Sequence, residues 1–585
     1  MGLFNKRIIL FLSIVFFFTT CKQKIKEERS EEANGGVFYG GVFKINELDD
    51  FKNLFPLSIL DVVSFRIASQ CYEGLVRFDQ ADLKIIPAIA DSWKSNDDNT
   101  IWTFKLRNNV FFHDDSCFTN QKGRLLNAND IKYCFDKLCQ FHPLNSFYEI
   151  TFKDKVVGAN EAFEKSKLSG KSESVSGIKV INDSTLTIQL LSPNPDFTNI
   201  LATPGCYIYP KEAFDNYGEN LRSHCVGTGP FFAKTIKEGK IVVLEKNPNY
   251  WKIDKYGNKL PYLDAIKFSF IKEKKSEMIE FKKGNLDMVF RIPVEMYKDV
   301  MGNYQNAQAK VHDFDVQSTP ALSVDFYTML TLHPAFNKKE VRLAFNHAID
   351  KNKIIDFTLQ GQGVVGKYGV IPPLDIFRKN GLNFDEIKGN EFDVEKARDL
   401  MKVAGYPGGK GFPEITLTIN SGGGERNQQI AEVIQKMLSE NIGVKLSINV
   451  VQFPEQIELR STGKAYFTRG SWSADYPDPA SFLDLFYGKN VPAENEKSYI
   501  NSARFKNDEF DKKYEAALHE NDKAKRYTLF KECDQILINE GALLNIYYNE
   551  NDRLVQKRVR NFPINAMEYR DLSVVYFVPE KSVKK

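Results

Sequence analysis

Histidine is scarce in this chain of 585 residues: there are seven, and they are scattered along the sequence. No two cysteines have the Cys-x-x-Cys spacing that is typical of a structural zinc site. The sequence therefore predicts no metal site, and no motif in it calls for a cofactor.

The common catalytic and nucleotide-binding motifs are also missing. Neither His-Glu-x-x-His nor Gly-x-Ser-x-Gly occurs. The run Gly170-Lys171-Ser172 resembles the end of a phosphate-binding loop, but Lys165 stands where that loop needs its first glycine. The run GTG (227–229) lacks the third glycine of a dinucleotide-binding turn and is followed by proline. We therefore do not expect an enzyme.

The charge is nearly balanced, with a formal net value of +3 and both signs interspersed. No basic stripe is present, so nucleic acid is not an expected partner. Apolar residues make up 42% and charged residues 26%, which is ordinary for a soluble globular protein with large cores. Beyond the first twenty residues, no run approaches eighteen apolar residues, so no later segment is expected to span a membrane.

The N-terminus has the form of an export signal. Lys6 and Arg7 precede an apolar run, residues 8–18, that is shorter than the ~20 residues a membrane-spanning helix needs. Cys21 follows soon after, which predicts a lipoprotein signal peptide over residues 1–20 and a lipid on Cys21. Residues 18–20 (FTT) depart from the usual pattern before such a cysteine, so a plain signal peptide or an unprocessed anchor stays an alternative. Either way, the body is expected outside the cytoplasm.

Residues 21–36 are mostly polar and show no apolar period, which predicts a flexible tether. We therefore expect a protein of the cell envelope, anchored to a membrane by lipid and facing the periplasm or the cell surface. Seven cysteines remain after Cys21, an odd number, so at least one is unpaired within the chain. A bridge between Cys206 and Cys225 is possible, but the sequence does not determine connectivity.

Helical and strand patterns alternate along the chain. Asn127 starts a predicted helix, and Asp393 caps another that ends at Gly405. Period-two strands are predicted at 101–106, 184–190, 415–419 and 444–450, and an amphipathic helix at 427–440. Helices interleaved with strands indicate an α/β fold.

A series of short motifs then occurs in a specific order. The sequence resembles the family 5 extracellular solute-binding proteins, which include oligopeptide-, dipeptide- and nickel-binding proteins of ABC importers. The likeness extends from about residue 40 to about residue 577. It is carried by the runs CYEGL (71–75), WTFKLR (102–107), VGTGPF (226–231), NPNYW (247–251), GNLD (284–287), VRLAF (341–345) and AIDK (348–351).

That resemblance implies a type II periplasmic-binding-protein fold, in which two lobes enclose a cleft and close over the ligand by a hinge motion. One lobe is expected to comprise residues 37–75, 191–312 and 541–585. An extra domain of residues 76–190 is attached to it, and the second lobe is expected at 313–540. The chain is expected to work as a monomer.

The run SWSADYPDP (471–479) is similar to the cleft-lining segment of peptide-binding members. Asp478 is explained as a helix cap, with Pro479 in the first turn. In those members, the aspartate at the position of Asp475 holds the α-ammonium group of the ligand. The alternative for Asp475 is a bond to backbone N–H groups in a turn.

The backbone groups of Ser471 and Ser473 are expected to pair with the ligand main chain, as when a β-strand is added to a sheet. Trp472 is either the wall of a side-chain pocket or part of the core. On the opposing wall, the resemblance assigns backbone contacts to the segment of Val62 and Ser64.

These features predict the substrate-binding component of an ABC importer, which captures short peptides and delivers them to permease subunits. One alternative is the same fold with another cargo, such as a metal chelate, haem, an opine or a sugar. Another is an envelope receptor that senses peptides without serving an importer.

Overall fold

The computed structural model describes residues 31–579, except 60, 144, 146, 302–312, 422–424 and 494–495. The predicted signal peptide and Cys21 lie outside the described residues. The end of the predicted tether is not a free linker, because residues 31–32 pair with residues 38–39 and Asn34 accepts and donates hydrogen bonds with Asn258. Among the described residues, no helix has the length and apolar character needed to cross a bilayer.

The strands are β1 Glu31–Glu32, β2 Phe38–Tyr39, β3 Val42–Asn46, β4 Val76–Phe78, β5 Ile85–Pro87, β6 Ala90–Ser95, β7 Ile101–Leu106, β8 Ile178–Asn182, β9 Thr185–Gln189, β10 Phe231–Lys237, β11 Ile241–Lys246, β12 Ala265–Ser269, β13 Met288–Phe290, β14 Phe314–Met329, β15 Val364–Val365, β16 Ile415–Asn420, β17 Leu446–Val451, β18 Phe467–Ser473, β19 Leu543–Gln556, β20 Val559–Arg560 and β21 Tyr576–Phe577.

The α-helices are α1 Val62–Cys71, α2 Ala128–Leu138, α3 Phe147–Thr151, α4 Ala159–Ser169, α5 Phe197–Leu201, α6 Lys211–Tyr217, α7 Lys274–Lys282, α8 Val294–Met301, α9 Lys339–Ala348, α10 Lys351–Lys353, α11 Asp375–Lys379, α12 Val394–Val403, α13 Arg426–Ile442, α14 Phe453–Ser461, α15 Ala480–Leu483, α16 Asp508–His519 and α17 Lys523–Asn539. The predicted α/β character is confirmed.

Three sheets organise the described chain. The first has the order β10-β11-β12-β3, with β3 parallel to β12 and its other pairs antiparallel. The second is antiparallel with the order β6-β7-β9-β8 and lies within the predicted extra domain. The third and largest has the order β13-β19-β14-β18-β16-β17, with β15 added to β19. The last sheet carries the segment predicted to line the cleft, in β18.

Two long strands connect the parts of the molecule. β14 and β19 pair antiparallel from Phe314 opposite Gln556 to Thr328 opposite Leu543, with an irregularity between Pro320 and Val324. One end of β19 pairs with β13, and the far half of β14 pairs with β18. β19 therefore continues into the sheet that the sequence boundaries assign to the second lobe, although residues 541–585 were assigned to the first. The division of the chain into lobes stays a prediction, with these two strands as the candidate hinge.

Three sequence motifs of the predicted first lobe converge on one buried carboxylate. Glu73, in the CYEGL run, accepts hydrogen bonds from Thr228 (3.0 Å), Tyr250 (2.9 Å) and the indole N–H of Trp251 (3.0 Å). Glu73 is buried, with 5% of its surface exposed. A buried carboxylate needs such partners, because an unpaired one is strongly destabilising. The VGTGPF and NPNYW runs are therefore structural partners of CYEGL.

The cysteines do not form the suggested bridge. All seven described cysteines are free thiols. The thiol that Cys225 contacts is that of Cys71, and not that of Cys206.

Candidate binding site

Strand β18 has one edge without a partner over its second half. On one side it pairs with β14 from Phe467 to Ser473. On the other side, its only register partner in the described chain is Thr418 of β16, opposite Thr468. The stretch beyond Thr468 thus presents an unpaired edge, which is the feature that lets an extended chain add to a sheet.

The backbone groups on that edge are those of Ser471 and Ser473. The N–H of Ala474 donates to the carbonyl of Leu322 in β14 at 2.9 Å. Successive residues of a strand direct their backbone groups to opposite sides, so the groups of residues 471 and 473 point away from β14. Both serines are exposed. Their placement agrees with the predicted role, which stays a prediction.

Asp475 follows the strand directly and has no cationic partner in the described chain. Its backbone N–H donates to the hydroxyl of Ser481 at 3.1 Å, and no hydrogen bond or ion pair is found for its carboxylate within those residues. Burial and the nearby Asp484 raise the pKa of Asp475 to about 7. The alternative in which its carboxylate caps backbone N–H groups is therefore not what the structure shows. The carboxylate is partly buried and has no compensating charge among the described residues.

Asp478 has the structural role expected for it. Its carboxylate accepts the N–H of Ala480 at 2.9 Å at the start of α15 and lies 2.6 and 2.9 Å from Nη1 and Nη2 of Arg526. Trp472 packs against the larger hydrophobic core but is only partly buried, and its indole N–H lacks a hydrogen-bond partner among the described residues. The ring of Trp472 is thus partly in the core, and its role as the wall of a side-chain pocket stays a prediction.

A cationic group in this region was not predicted from the sequence. Arg469 lies on β18, with its side chain on the same face as those of Ser471 and Ser473. It pairs with Asp325 of β14 and donates to Asn420 at 3.1 Å. Burial alone would lower the pKa of Arg469, but the adjacent Asp325 outweighs burial, and the pKa is raised. The period-two spacing from Ser471 was the signal that could have identified it.

Two further arginines surround this position. Arg291 follows β13 directly, and desolvation together with the nearby Arg426 lowers its pKa. Arg426 starts α13, lies 5.0 Å from the ring centre of Tyr547, and has a buried Nε without a hydrogen-bond partner in the described chain. Three arginines, with Asp325 and Asp552 beside them, therefore lie at the Arg469 end of the open edge, opposite to the Asp475 end.

The two residues predicted on the opposing wall differ from each other. Val62 is the first residue of α1 and is 53% exposed. Ser64 is fully buried, and its hydroxyl donates to Asp61 at 2.5 Å while accepting the N–H of Lys52 at 2.9 Å. The hydroxyl of Ser64 is thus used within its own part of the chain, and the contact of this segment with the peptide backbone stays a prediction. In this helical turn the segment also offers no strand edge.

Comparison with known proteins decides the family. A model described as bacterial extracellular solute-binding proteins, family 5 Middle, matches residues 84–493. The chain belongs to this family. No group of three or more metal-ligating side chains is found in the part of the chain that the structure describes.

Relatives of this family 5 protein match it over nearly their whole length. The periplasmic oligopeptide-binding protein OppA of Escherichia coli is 25% identical over 542 residues, covering 91% of this chain and 92% of OppA. The heme-binding protein A of Haemophilus influenzae is 27% identical over 522 residues, covering 88% of each. The periplasmic oligopeptide-binding protein OppAIV of Borrelia burgdorferi has a solved structure with a TM-score of 0.77 at 25% identity, covering 92% of this chain and all of that one. The predicted type II periplasmic-binding fold with two lobes is confirmed.

Proposed function

We propose that this protein is the substrate-binding component of an ABC importer and that it captures short peptides in the cleft between its lobes. The observation that carries the proposal is the unpaired carboxylate of Asp475 at the end of an open strand edge. An α-ammonium group is the cation that an extended peptide brings to such a position. Burial raises the pKa of this carboxylate to about 7 because it removes water that would stabilise the ionised form. An ammonium group beside the carboxylate would replace that stabilisation.

The peptide main chain would pair with Ser471 and Ser473, and its C-terminal carboxylate would lie near Arg469. Asp475 lies six positions after Arg469, which is about 20 Å of extended chain at ~3.3 Å per residue. Subtracting the reach of the two side chains leaves room for roughly three to five peptide residues. Backbone pairing is indifferent to side chains, so affinity for many sequences would follow. Trp472 and the exposed Val62 would flank the peptide.

The remaining parts of the proposal concern location and partners. Several relatives are periplasmic binding proteins by name, including OppA. We place the body outside the cytoplasm, anchored through a lipid on Cys21, as a monomer that delivers its cargo to permease subunits. Labelling of cells with a radioactive or alkyne fatty acid tests the anchor, and Cys21→Ser should abolish the label while the protein is still made.

Native mass spectrometry of protein purified without refolding tests the cargo. We expect additional masses that correspond to peptides of three to five residues, and their loss from the Asp475→Asn variant. Retention of a haem, a sugar or a metal chelate in both forms would overturn the peptide assignment while leaving the fold intact. Asp91→Asn, at an exposed ion pair with Arg107 far from β18 in sequence, is a matched control with the same change of charge.

A further inference from the structure

An ion pair joins the segment after Asp475 to a distant part of the chain. Arg526, in the first turn of α17, contacts Asp478 and also Asp196, whose Oδ2 lies 2.7 Å from Nη1. Arg526 and Asp478 are buried, with side-chain exposures of 6% and 3%, and the Asp196 side chain is 35% exposed. One guanidinium thus holds two carboxylates that are 282 positions apart in sequence.

Asp196 belongs structurally to the part of the molecule that carries the β6–β9 sheet. The next residue, Phe197, packs its ring against Trp102 of β7 and Phe152, at 6.2 Å between ring centres in both cases. Asn194 donates its N–H to the carbonyl of Asn99 at the turn between β6 and β7. Asp196 therefore moves with this sheet if the two parts of the molecule separate.

Arg526 belongs to the other part. Tyr527, the next residue of α17, packs against Phe377 and accepts a hydrogen bond from Asn380 at 3.3 Å. The turn that follows α15 contacts the largest sheet through Phe486, whose ring is 6.3 Å from that of Phe326 in β14. The Asp196–Arg526 contact thus crosses from one part to the other, whereas the Asp478–Arg526 pair lies within one of them.

A second contact supports the same crossing. The side-chain amide of Asn99 donates to the side-chain oxygen of Asn521 at 3.1 Å. Asn521 lies just before α17, and Asn99 lies at the turn that Asn194 contacts. Both contacts therefore join the start of α17 to the part of the molecule that carries the β6–β9 sheet.

A short series of hydrogen bonds connects this ion pair to the proposed ammonium site. Arg526 fixes the carboxylate of Asp478, and that carboxylate fixes the start of α15 through Ala480. The hydroxyl of Ser481, the next residue, accepts the backbone N–H of Asp475 at 3.1 Å. A displacement of Arg526 would therefore reach the backbone of Asp475 through two hydrogen-bonded groups.

We propose that Asp196 is a positioning residue: when the two parts meet, it secures Arg526 and, through Asp478 and Ser481, the backbone that carries Asp475. Closure of the cleft and the hold on the ligand would then stabilise each other, and reciprocity requires that each strengthens the other equally. The ligand half of this inference rests on the proposed peptide function, whereas the crossing contact itself does not.

Asp196→Asn is the variant that tests it, because asparagine keeps the size and removes the charge. X-ray scattering of the unliganded full chain needs no ligand, and we expect a larger radius of gyration for the variant than for the unchanged protein. With trialanine as the probe, we expect dissociation to be faster by about fivefold or more, the low end of typical coupling between sites. The association rate should change less than dissociation, because the cleft that trialanine enters is the same.

Three comparisons separate the inference from a general loss of stability. The thermal midpoint of unliganded Asp196→Asn should match that of Asp91→Asn, whose ion pair with Arg107 lies on the same part of the molecule. In an Asp475→Asn background, Asp196→Asn should no longer change trialanine affinity, since the residue acts through Asp475. Arg526→Lys keeps the charge but loses the two-pronged contact, so it should show part of the change in scattering and dissociation that Asp196→Asn shows.

Unchanged scattering and unchanged dissociation in Asp196→Asn would overturn the inference. Altered scattering with an equal change of affinity in both Asp475 backgrounds would overturn the positioning role. If trialanine binds none of the proteins, the proposed cargo fails for this probe, while the scattering result still decides the crossing contact.

Discussion

Replacing Asp475 by asparagine should strongly weaken peptide binding without weakening the fold. The change keeps the size of the side chain and removes the only charge that the proposal assigns to the ligand ammonium. Breaking one partner of a buried charge pair costs about 2–5 kcal/mol, which is about 30- to 5,000-fold in Kd. Asp475 is partly exposed, so solvent screening places the expected loss near the lower end, about 30- to 300-fold.

The pH dependence follows from the raised pKa. The group binds an ammonium in its ionised form, and its pKa without ligand is about 7. Peptide affinity should therefore fall as the pH drops below 7, approaching tenfold per unit, and it should fall again above about pH 8, where the free peptide loses the proton of its α-amino group. In the Asp475→Asn variant, this dependence should be absent between pH 5 and 8.

Stability should change in the opposite direction to affinity. The folded pKa of Asp475 lies above the value of about 3.9 for an unfolded aspartate, so the ionised group destabilises the fold. That penalty is absent below about pH 3.9 and complete above about pH 7. The thermal midpoint of unliganded Asp475→Asn at pH 8 should therefore equal or exceed that of the unchanged protein.

Isothermal titration with a peptide and its N-acetylated form gives the decisive comparison. Acetylation removes the ammonium, so it should weaken binding to the unchanged protein by the same factor as the mutation, and should not weaken binding to Asp475→Asn further. Equal affinity of the unchanged protein for both forms would refute the assignment, whatever the variant does. Asp91→Asn serves as the control for a lost surface carboxylate.

Three further outcomes are expected. Arg469→Gln should reduce the affinity ratio between a peptide with a free C-terminus and its amidated form, measured by titration; an unchanged ratio would argue against a carboxylate near Arg469. Glu73→Gln should lower the free energy of unfolding by about 1–3 kcal/mol in urea, since in either orientation its buried amide N–H₂ would face a donor where an acceptor stood, whereas the exposed Glu245→Gln should not. Asp571→Asn should lower the thermal midpoint at pH 7: although burial opposes it, Arg77 holds the pKa of Asp571 well below its usual range. This stabilisation is complete above about pH 3.9 and fades at lower pH, so the midpoints should converge there, and a constant difference would contradict it.

Local structure followed from the sequence where the signals are short-range. The helix predicted to open at Asn127 begins at Ala128, with Asn127 and Asp130 forming a capping box. Asp393 caps α12, and the strand predicted at 415–419 is observed at Ile415–Asn420. Each of these depends on hydrogen bonds or side-chain alternation within a few residues, and such information is contained in the sequence itself.

The binding segment was predictable only in part. The resemblance located the run 471–479, and the helix-capping preference of aspartate before proline distinguished Asp478 from Asp475. The structure added that the Asp475 carboxylate is unpaired in the described chain, which no sequence pattern expresses. It also showed that the Ser64 hydroxyl bonds Asp61 and a neighbouring loop, which the sequence does not express, because a serine in a helical first turn looks the same whether its hydroxyl faces a ligand or a loop.

The sequence by itself determined the α/β character, the family and the position of the Asp475 segment, since these depend on local periods and on motifs in a fixed order. Only the tertiary structure showed that one edge of β18 has no partner strand beyond Thr468 in the described chain. It also showed that Glu73 accepts hydrogen bonds from two other motifs of the predicted first lobe, and that Asp196 contacts Arg526. Those features join residues hundreds of positions apart. Their contacts arise when packed elements bring desolvated charges together, and the energy of a desolvated charge depends on everything that surrounds it in space.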